Sequence, residues 1–385
     1  MPTYAFETIT PAQALALQAN DIITFAGGPA RGVSVAYNIP AVGPATVTVT
    51  YEGRSVEFGQ AVLEVSELRG LHFRDDSRLM IGSAERDFLV GWVDDDALFG
   101  GEGDDRLLGQ GGDDYLHGNQ GDDRLQTDRG ADTVLGGQGD DAIRTGTGGA
   151  GEAGDYAHGK MGNDTIDGGA GNDILLGGRD NDQINGGAGA DYLSGDRGDD
   201  VLKGGAGDDT QFGADGADSL YSNGGKDLIS GGEGADVIIV SGLGGATVDG
   251  DEGDDTLLAA SPDMDALLGG AGADVFEFIA SGRPAQGQDD EIRDWGAADR
   301  LLFDHVGPAS VSPDQYTETT ATDYANALAQ ANALMAGGVV RYVAAQVGGD
   351  VVVFAETDGL LGNGADIAVV LGGRTLAHIE AADFI

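Results

Sequence analysis

Aspartate returns on a nine-residue period through the middle of this chain. It stands at Asp96, Asp105, Asp114, Asp123, Asp132, Asp141, Asp155, Asp164, Asp173, Asp182, Asp191, Asp200, Asp209, Asp218, Asp227, Asp236, Asp255, Asp265 and Asp274. Carboxylates repeated at a fixed pitch are ligands for a hard cation, which takes oxygen donors and no others. The surrounding residues repeat as well: GGEGDDRLL (100–108), GQGGDDYLH (109–117), GGAGNDILL (168–176) and GDEGDDTLL (250–258) share the pattern G-G-x-G-x-D-x-U-x, with U large and apolar. From Gly82 to Glu277 there are 21 such frames, some degenerate, and the eight from Gly159 to Ser230 follow without a slip. Self-similarity of this length at a fixed period is the mark of a solenoid.

These frames resemble the RTX (repeat-in-toxin) family of calcium-binding β-roll proteins, whose signature is this nonapeptide. The resemblance covers about half of the chain. It implies an all-β fold, a right-handed parallel β-roll in which each frame is a six-residue turn followed by a short strand, and two frames make one coil. The residues agree with it on physical grounds. Glycine at positions 1, 2 and 4 permits positive φ and close stacking of turns. Position 8 carries Leu98, Leu107, Leu116, Leu125, Val134, Ile143, Ile166, Leu175, Ile184, Leu193, Leu202, Leu220, Ile229, Ile238 and Leu257, an aliphatic ladder between two sheets.

With two frames per coil, frames i and i+2 stack on one edge, so Asp105 lies beside Asp123 and Asp123 beside Asp141. Carboxylates one strand spacing apart repel unless a cation sits between them. Turn carbonyls at Gly101, Gly103, Gly137, Gly139, Gly169, Gly171, Gly187, Gly189, Gly205, Gly207, Gly232 and Gly234 would complete an all-oxygen site, which favours Ca²⁺ over Zn²⁺ or Mg²⁺. The 21 frames allow at most 19 stacked pairs, a charge of +38 against the chain's net −46, so the acidity reads as a ligand count. Departures weaken single sites. Thr127-Asp128 opens one frame, Asp180 stands where glycine belongs, and Gln211 at an inward position predicts a register shift or a local defect. Ala246 replaces the ligand Asp, residues 145–158 exceed a frame by five and predict a loop, and the first frames GSAERDFLV and GWVDDDALF are degenerate.

Composition sets the outer bounds. The chain has 385 residues, 69 of them Gly, no Cys, and 66 acids against 20 bases. Such a charge repels nucleic acid and anionic lipid, and no apolar run is long enough to span a bilayer. There is no disulfide framework and no thiolate chemistry. Aromatics are 6 %, too few for an ordinary large core. The first basic residue is Arg31, which argues against an N-terminal secretory signal.

The flanks divide the chain into 1–81, 82–277 and 278–385. Residues 1–81 alternate apolar and polar in short segments and predict a small antiparallel β-domain, either a cap on the roll or a module for assembly or surface binding. In 278–385, DDEIRDWGAADRLLF (289–303) offers Asp290, Asp294 and Asp299 as further ligands, and TDYANALAQANALMAGG has helical spacing with Asp323 at its start. The segments VVRYVAAQVGGDVVVFAE, IAVVL and HIEAADFI predict strands of a β-rich cap. The Asp-Phe-Ile ending resembles the C-terminal region of type I secretion substrates, which predicts a secreted, cell-surface-associated protein.

No catalytic residues are predicted. Neither H-E-x-x-H nor G-x-S-x-G occurs, His117 and His158 fall at position 9 of frames, and His72 beside Arg74, Asp75 and Asp76 reads as a strand end. The expected function is a non-enzymatic, calcium-folded extracellular protein that self-associates into a surface layer, filament or biofilm matrix. The alternative is a monomeric module binding a cell-surface polysaccharide. A secreted enzyme ranks third.

Overall fold

The fold is set by the short distance between one frame and the next but one. The computed structural model describes residues 3–17, 22–25, 29–38, 46–59, 71–73, 75–146, 152–279, 289–303, 315–336, 341–355 and 365–384. They fall into two units, Met1–Ala188 and Gly189–Ile385.

In the first unit, strands Leu79–Ile81, Ala97–Glu102, Tyr115–Gln120, Thr133–Gln138, Tyr156–Met161 and Ile174–Arg179 pair in parallel as one sheet. Phe88–Val90, Arg106–Leu108, Arg124–Gln126, Ala142–Arg144, Thr165–Ala170 and Gln183–Ala188 form the other. The register joins like positions, as in Leu116↔Val134 and Ile143↔Ile166. The position-8 residues are buried throughout, Leu107, Leu116 and Leu175 completely. A parallel sheet with one aliphatic residue per strand facing inward needs no bulky core.

Many strands are longer than the expected short segment. Thr165–Ala170 and Gln183–Ala188 run six residues, from position 7 through position 3 of the next frame, so the unpaired turn is only positions 4 to 6. Pairing skips position 1, as where His117↔Leu135 is followed by Asn119↔Gly137.

One group of the aromatics missing from the ladder lies ahead of it. Phe6, Phe25, Tyr51, Phe58 and Phe73 stack with one another, Phe25 on Phe73 at 4.2 Å between centroids, and share a core with Leu79, Ile81 and Phe99 of the first turns. This region is not purely antiparallel. Ser34–Asn38, Thr46–Tyr51 and Arg54–Gly59 make an antiparallel meander, but Thr3–Ala5, Ile22–Thr24 and Leu71–His72 pair in parallel. A parallel connection needs a crossover, and Pro11–Leu15 forms a short helix with Thr10 as its capping residue. Arg31 reaches the roll, its guanidinium 2.7 Å from Asp113 and 3.5 Å from Asp95 one turn earlier. Of the predicted His72 cluster, Arg74 lies outside the described residues.

The second unit repeats the plan. Tyr192–Arg197, Thr210–Asp215, Leu228–Glu233, Thr247–Glu252, Ala266–Leu268 and Asp290–Ile292 stack in one sheet. Val201–Ala206, Ser219–Gly224, Val237–Val240, Thr256–Ala259, Val275–Phe278 and Arg300–Phe303 stack in the other. The parallel pairing therefore runs on past residue 277. Asp290–Ile292 then pairs with Ile367–Leu371, which continues antiparallel through Asp350–Ala355 to Tyr342–Val347. The helix Tyr324–Met335, capped by Asp323, packs Ala327, Ala331 and Met335 against these strands. The final segment is not a strand: Leu376–His378 and Ala381–Asp383 are single 3₁₀ turns, and Phe384 meets Leu301 in an isolated bridge.

Gln211 causes no shift. It stays in register between Leu193 and Ile229, fully buried, because its Nε2 donates to the Tyr221 carbonyl and the ladder's backbone pairing outweighs one misplaced amide. Among the described residues no helix is long and apolar enough to cross a membrane.

Candidate metal centre

All nineteen predicted aspartates sit at the same place in their frames and none is more than 3 % exposed. Each is the last residue of its turn, where the chain re-enters a strand. The geometry of one explains the rest. The amide of Asp105 donates to Oδ1 of Asp123, and the amide of Asp123 to Oδ1 of Asp141, at 2.7 and 2.8 Å. The same bond links Asp96 to Asp114, Asp114 to Asp132, Asp155 to Asp173, Asp200 to Asp218 and Asp218 to Asp236. One oxygen of each carboxylate thus ties its turn to the turn before it.

The second oxygen is different. Oδ2 of Asp105, Asp114, Asp123, Asp141, Asp155 and Asp164 in the first unit, and of Asp209, Asp218, Asp236, Asp255 and Asp274 in the second, is buried without a hydrogen-bond donor. It lies against position 1 of its own frame, where a Cβ on Gly118 would strike Asp123 Oδ2 and come within 2.7 Å of the Gly136 carbonyl. Glycine at position 1 leaves room for that oxygen. Positions 2 and 4 do another job. Gly101, Gly103, Gly137, Gly139, Gly169, Gly171, Gly187, Gly189, Gly205, Gly207, Gly232 and Gly234 all have φ between +91° and +145°. At Gly139 a Cβ would collide with the Gly121 carbonyl one turn earlier, so a side chain there would force the stacked turns to shift. Where glycine is absent the left-handed conformation persists: Asp180 has φ 73°, Lys160 91° and Asn119 81°. The stacking therefore imposes the turn, and the residue at position 2 or 4 follows.

Burial pushes the ladder carboxyls up, opposed by the amide each accepts. Asp105, Asp123, Asp155, Asp164, Asp209, Asp218 and Asp255 are raised to about 7, Asp114 and Asp141 to about 8. Repulsion from stacked neighbours, as of Asp123 and Asp164 on Asp141, adds to the shift. A buried carboxylate with an unmet oxygen costs several kcal/mol unless a cation or proton answers it. Among the described residues no three His, Cys, Asp or Glu side chains converge on a point. A cation here would draw on ladder carboxylates and turn carbonyls, an all-oxygen donor set that fits Ca²⁺. Bound there, it would supply the counter-charge and cross-link neighbouring turns.

The ladder holds through the predicted irregularities. Across the five-residue excess the bonds simply lengthen in sequence, Asp132 to Asp155 and Asp141 to Asp164 each spanning 23 residues, although 147–151 lie outside the described residues. Asp265 bonds on to Asp290 and Asp274 to Asp299, so both later aspartates take the ladder position. Asp294 does not: its two oxygens accept the amides of Gly269 and Gly270. At Ala246 the carboxylate is missing, and only its amide takes part, donating to Asp265 Oδ1 at 2.8 Å.

Two features escaped the sequence reading. Asp87 in the degenerate first frame joins the ladder through its backbone, its amide donating to Asp105 Oδ1. Position 5 forms a second ladder of opposite sense, in which the later turn donates to the earlier: Asp122 to Asp104, Asp140 to Asp122, Asn181 to Asn163 and Ala217 to Asp199. The recurrent Asp-Asp pairs (104–105, 113–114, 122–123, 140–141, 199–200, 208–209) were its signal. These outer carboxylates face solvent and hold backbone amides, so the net charge is not a ligand count alone.

The model of the RTX calcium-binding nonapeptide repeat, in four copies, matches nine overlapping segments that together run from residue 79 to residue 245. No curated protein matches the chain. Among solved structures, the extracellular lipase LipA from Serratia marcescens is similar at 18 % identity and a TM-score of 0.18, over 56 % of this chain. The chain spans 40 % of that lipase's length, and the likeness is too weak to bear on activity. Family match, nonapeptide register and buried carboxylate column fall on the same residues, and through them residues 79–245 of this chain are identified as RTX calcium-binding repeats.

Proposed function

We propose that this is a secreted, non-enzymatic calcium-binding protein that stays extended where calcium is scarce, folds outside the cell as ions enter the roll, and serves there as an assembly component of a surface layer, filament or biofilm matrix. One observation carries the calcium-coupled part: the column of buried Oδ2 atoms with no protein donor. Eleven such oxygens are a standing electrostatic cost that ions relieve turn by turn, so binding and folding are one process. Export by a type I route suits a chain that is unfolded until it meets calcium, and the ladder aspartates with their turn glycines are the ligands in this reading.

Assembly draws support from one face. In the first unit the outward positions of four neighbouring strands are Tyr115, His117, Thr133, Leu135, Tyr156, His158, Ile174 and Leu176. None is acidic, in a chain with 66 acids. Two copies of so anionic a molecule approach most easily where neither presents charge. The region 3–73, which shares its core with the first turns, acts as the cap on that end.

Sedimentation velocity across a calcium titration from chelator upward tests the reading. Compaction followed by large ordered species supports it. Compaction to a lasting monomer overturns the assembly role and leaves a solitary binding module. No compaction overturns calcium-coupled folding itself.

A further inference from the structure

Resting on the calcium reading above, we propose that the ladder of the second unit contains a built-in metal-free seam at Ala246, closed by the hydroxyl of Ser261, and that Asp265 beside it holds no ion.

The second unit has two columns of ladder positions. One runs through Asp200, Asp218, Asp236, Asp255, Asp274 and Asp299 without a gap. The other runs through Asp209 and Asp227 to Ala246, Asp265 and Asp290. In the unbroken column Oδ2 of Asp218, Asp236, Asp255 and Asp274 has no donor. In the broken column Asp209 is the same, but Asp265, which follows Ala246, is not. Ser261 Oγ donates to Asp265 Oδ2 at 2.8 Å. The Ser222 hydroxyl, at position 1 of the Asp227 frame, donates to the Ser241 carbonyl at 3.4 Å and accepts the Ser241 amide at 3.2 Å.

The Ser261 hydroxyl therefore lies beside the missing carboxylate and supplies the donor an ion would otherwise replace. A neutral hydroxyl meets the lone pair with no ion bound. An ion at the seam would face one carboxylate in place of two and would have to displace a hydroxyl to reach it. The device recurs in the first unit at the opening frame, where Ser83 Oγ donates to Asp87 Oδ2 at 2.9 Å.

The test compares Asp255→Asn with Asp265→Asn in the full chain, reading the number of Ca²⁺ ions bound at saturation by isothermal titration calorimetry and equilibrium dialysis. Asparagine keeps the Oδ1 acceptor, and circular dichroism in calcium checks that the roll forms. Asp255→Asn is expected to lose at least one ion and Asp265→Asn none. Loss of an ion from Asp265→Asn overturns the seam. If neither variant loses an ion, the ladder carboxylates are not ligands, and the seam falls together with the calcium reading. Ala246→Asp, which restores the missing carboxylate, is expected to bind one ion more than the parent and replaces Asp265→Asn should that variant fail to fold; no added ion overturns the seam.

Discussion

The Asp105 amide and the Asp123 carboxylate, eighteen residues apart, share a buried hydrogen bond of 2.7 Å, while the other oxygen of Asp123 meets no donor at all. One side chain is thus both a structural tie and an unmet charge. Asp123→Asn separates the two roles, since it keeps an acceptor and removes the charge. In chelator at pH 8 it is expected to melt above the parent, and in saturating calcium below it, by on the order of 1–3 kcal/mol. Asp123→Ala strands the Asp105 amide and is expected to melt lower in both. Paired thermal melts with and without calcium check the crossing.

Proton uptake follows the same chemistry. The ladder carboxyls are raised from 3.8 to about 7 or 8 in the folded chain, so folding without calcium takes up protons. Their contribution to stability is complete below about pH 4 and disappears as pH rises through 7 to 8. Calcium-free protein is therefore expected to gain β-structure as pH falls from 8 toward 5, and calcium affinity to weaken over the same range. Circular dichroism in chelator and calcium titrations at pH 6 and 8 read both trends.

Glycine positions differ sharply in what they tolerate. Gly121 has φ 122° and a Cβ there would strike the Gly103 carbonyl; Gly53 has φ 77° in the turn of the meander with open space around it. Gly121→Ala is expected to cost about 3 kcal/mol or more, from left-handed strain plus overpacking. Gly53→Ala should cost about 1 kcal/mol. Melting of the two variants in calcium distinguishes them.

Gln211 is the one amide in the aliphatic ladder, and its Oε1 is buried with no donor. Gln211→Leu restores the pattern of Leu193 and Ile229 beside it. The variant is expected to be more stable than the parent by about 1–2 kcal/mol in calcium, read as a rise in melting temperature.

The roll was legible because its causes are local and periodic. Asp123 and Leu125 recur with their glycines at a spacing that the stacked turns repeat, so the family, the ladder and the inward residues could be read in one dimension. The position-5 ladder was hidden by its own neighbour: Asp122 adjoins the more regular signal at Asp123, and position 5 breaks off at Asn163, Asn181 and Ala217. Gln211 misled because a polar residue on an apolar stripe looks like a slip, whereas backbone pairing on both sides holds it in place. The region 3–73 was read least well. Its parallel pairing of Thr3–Ala5 with Ile22–Thr24 and Leu71–His72 joins residues far apart in the chain, and Pro11–Leu15 is too short to announce itself by periodicity.

The ladder step is 18 residues along most of the first unit, 23 at Asp132–Asp155 and Asp141–Asp164, and 18 again at Asp155–Asp173, with bonds of 2.8 Å at all three. The roll keeps count by position in space, with no regard to how much chain passes between rungs. Rung-to-rung bonding in space, not chain length, is therefore what a calcium-set scaffold of this kind has to preserve.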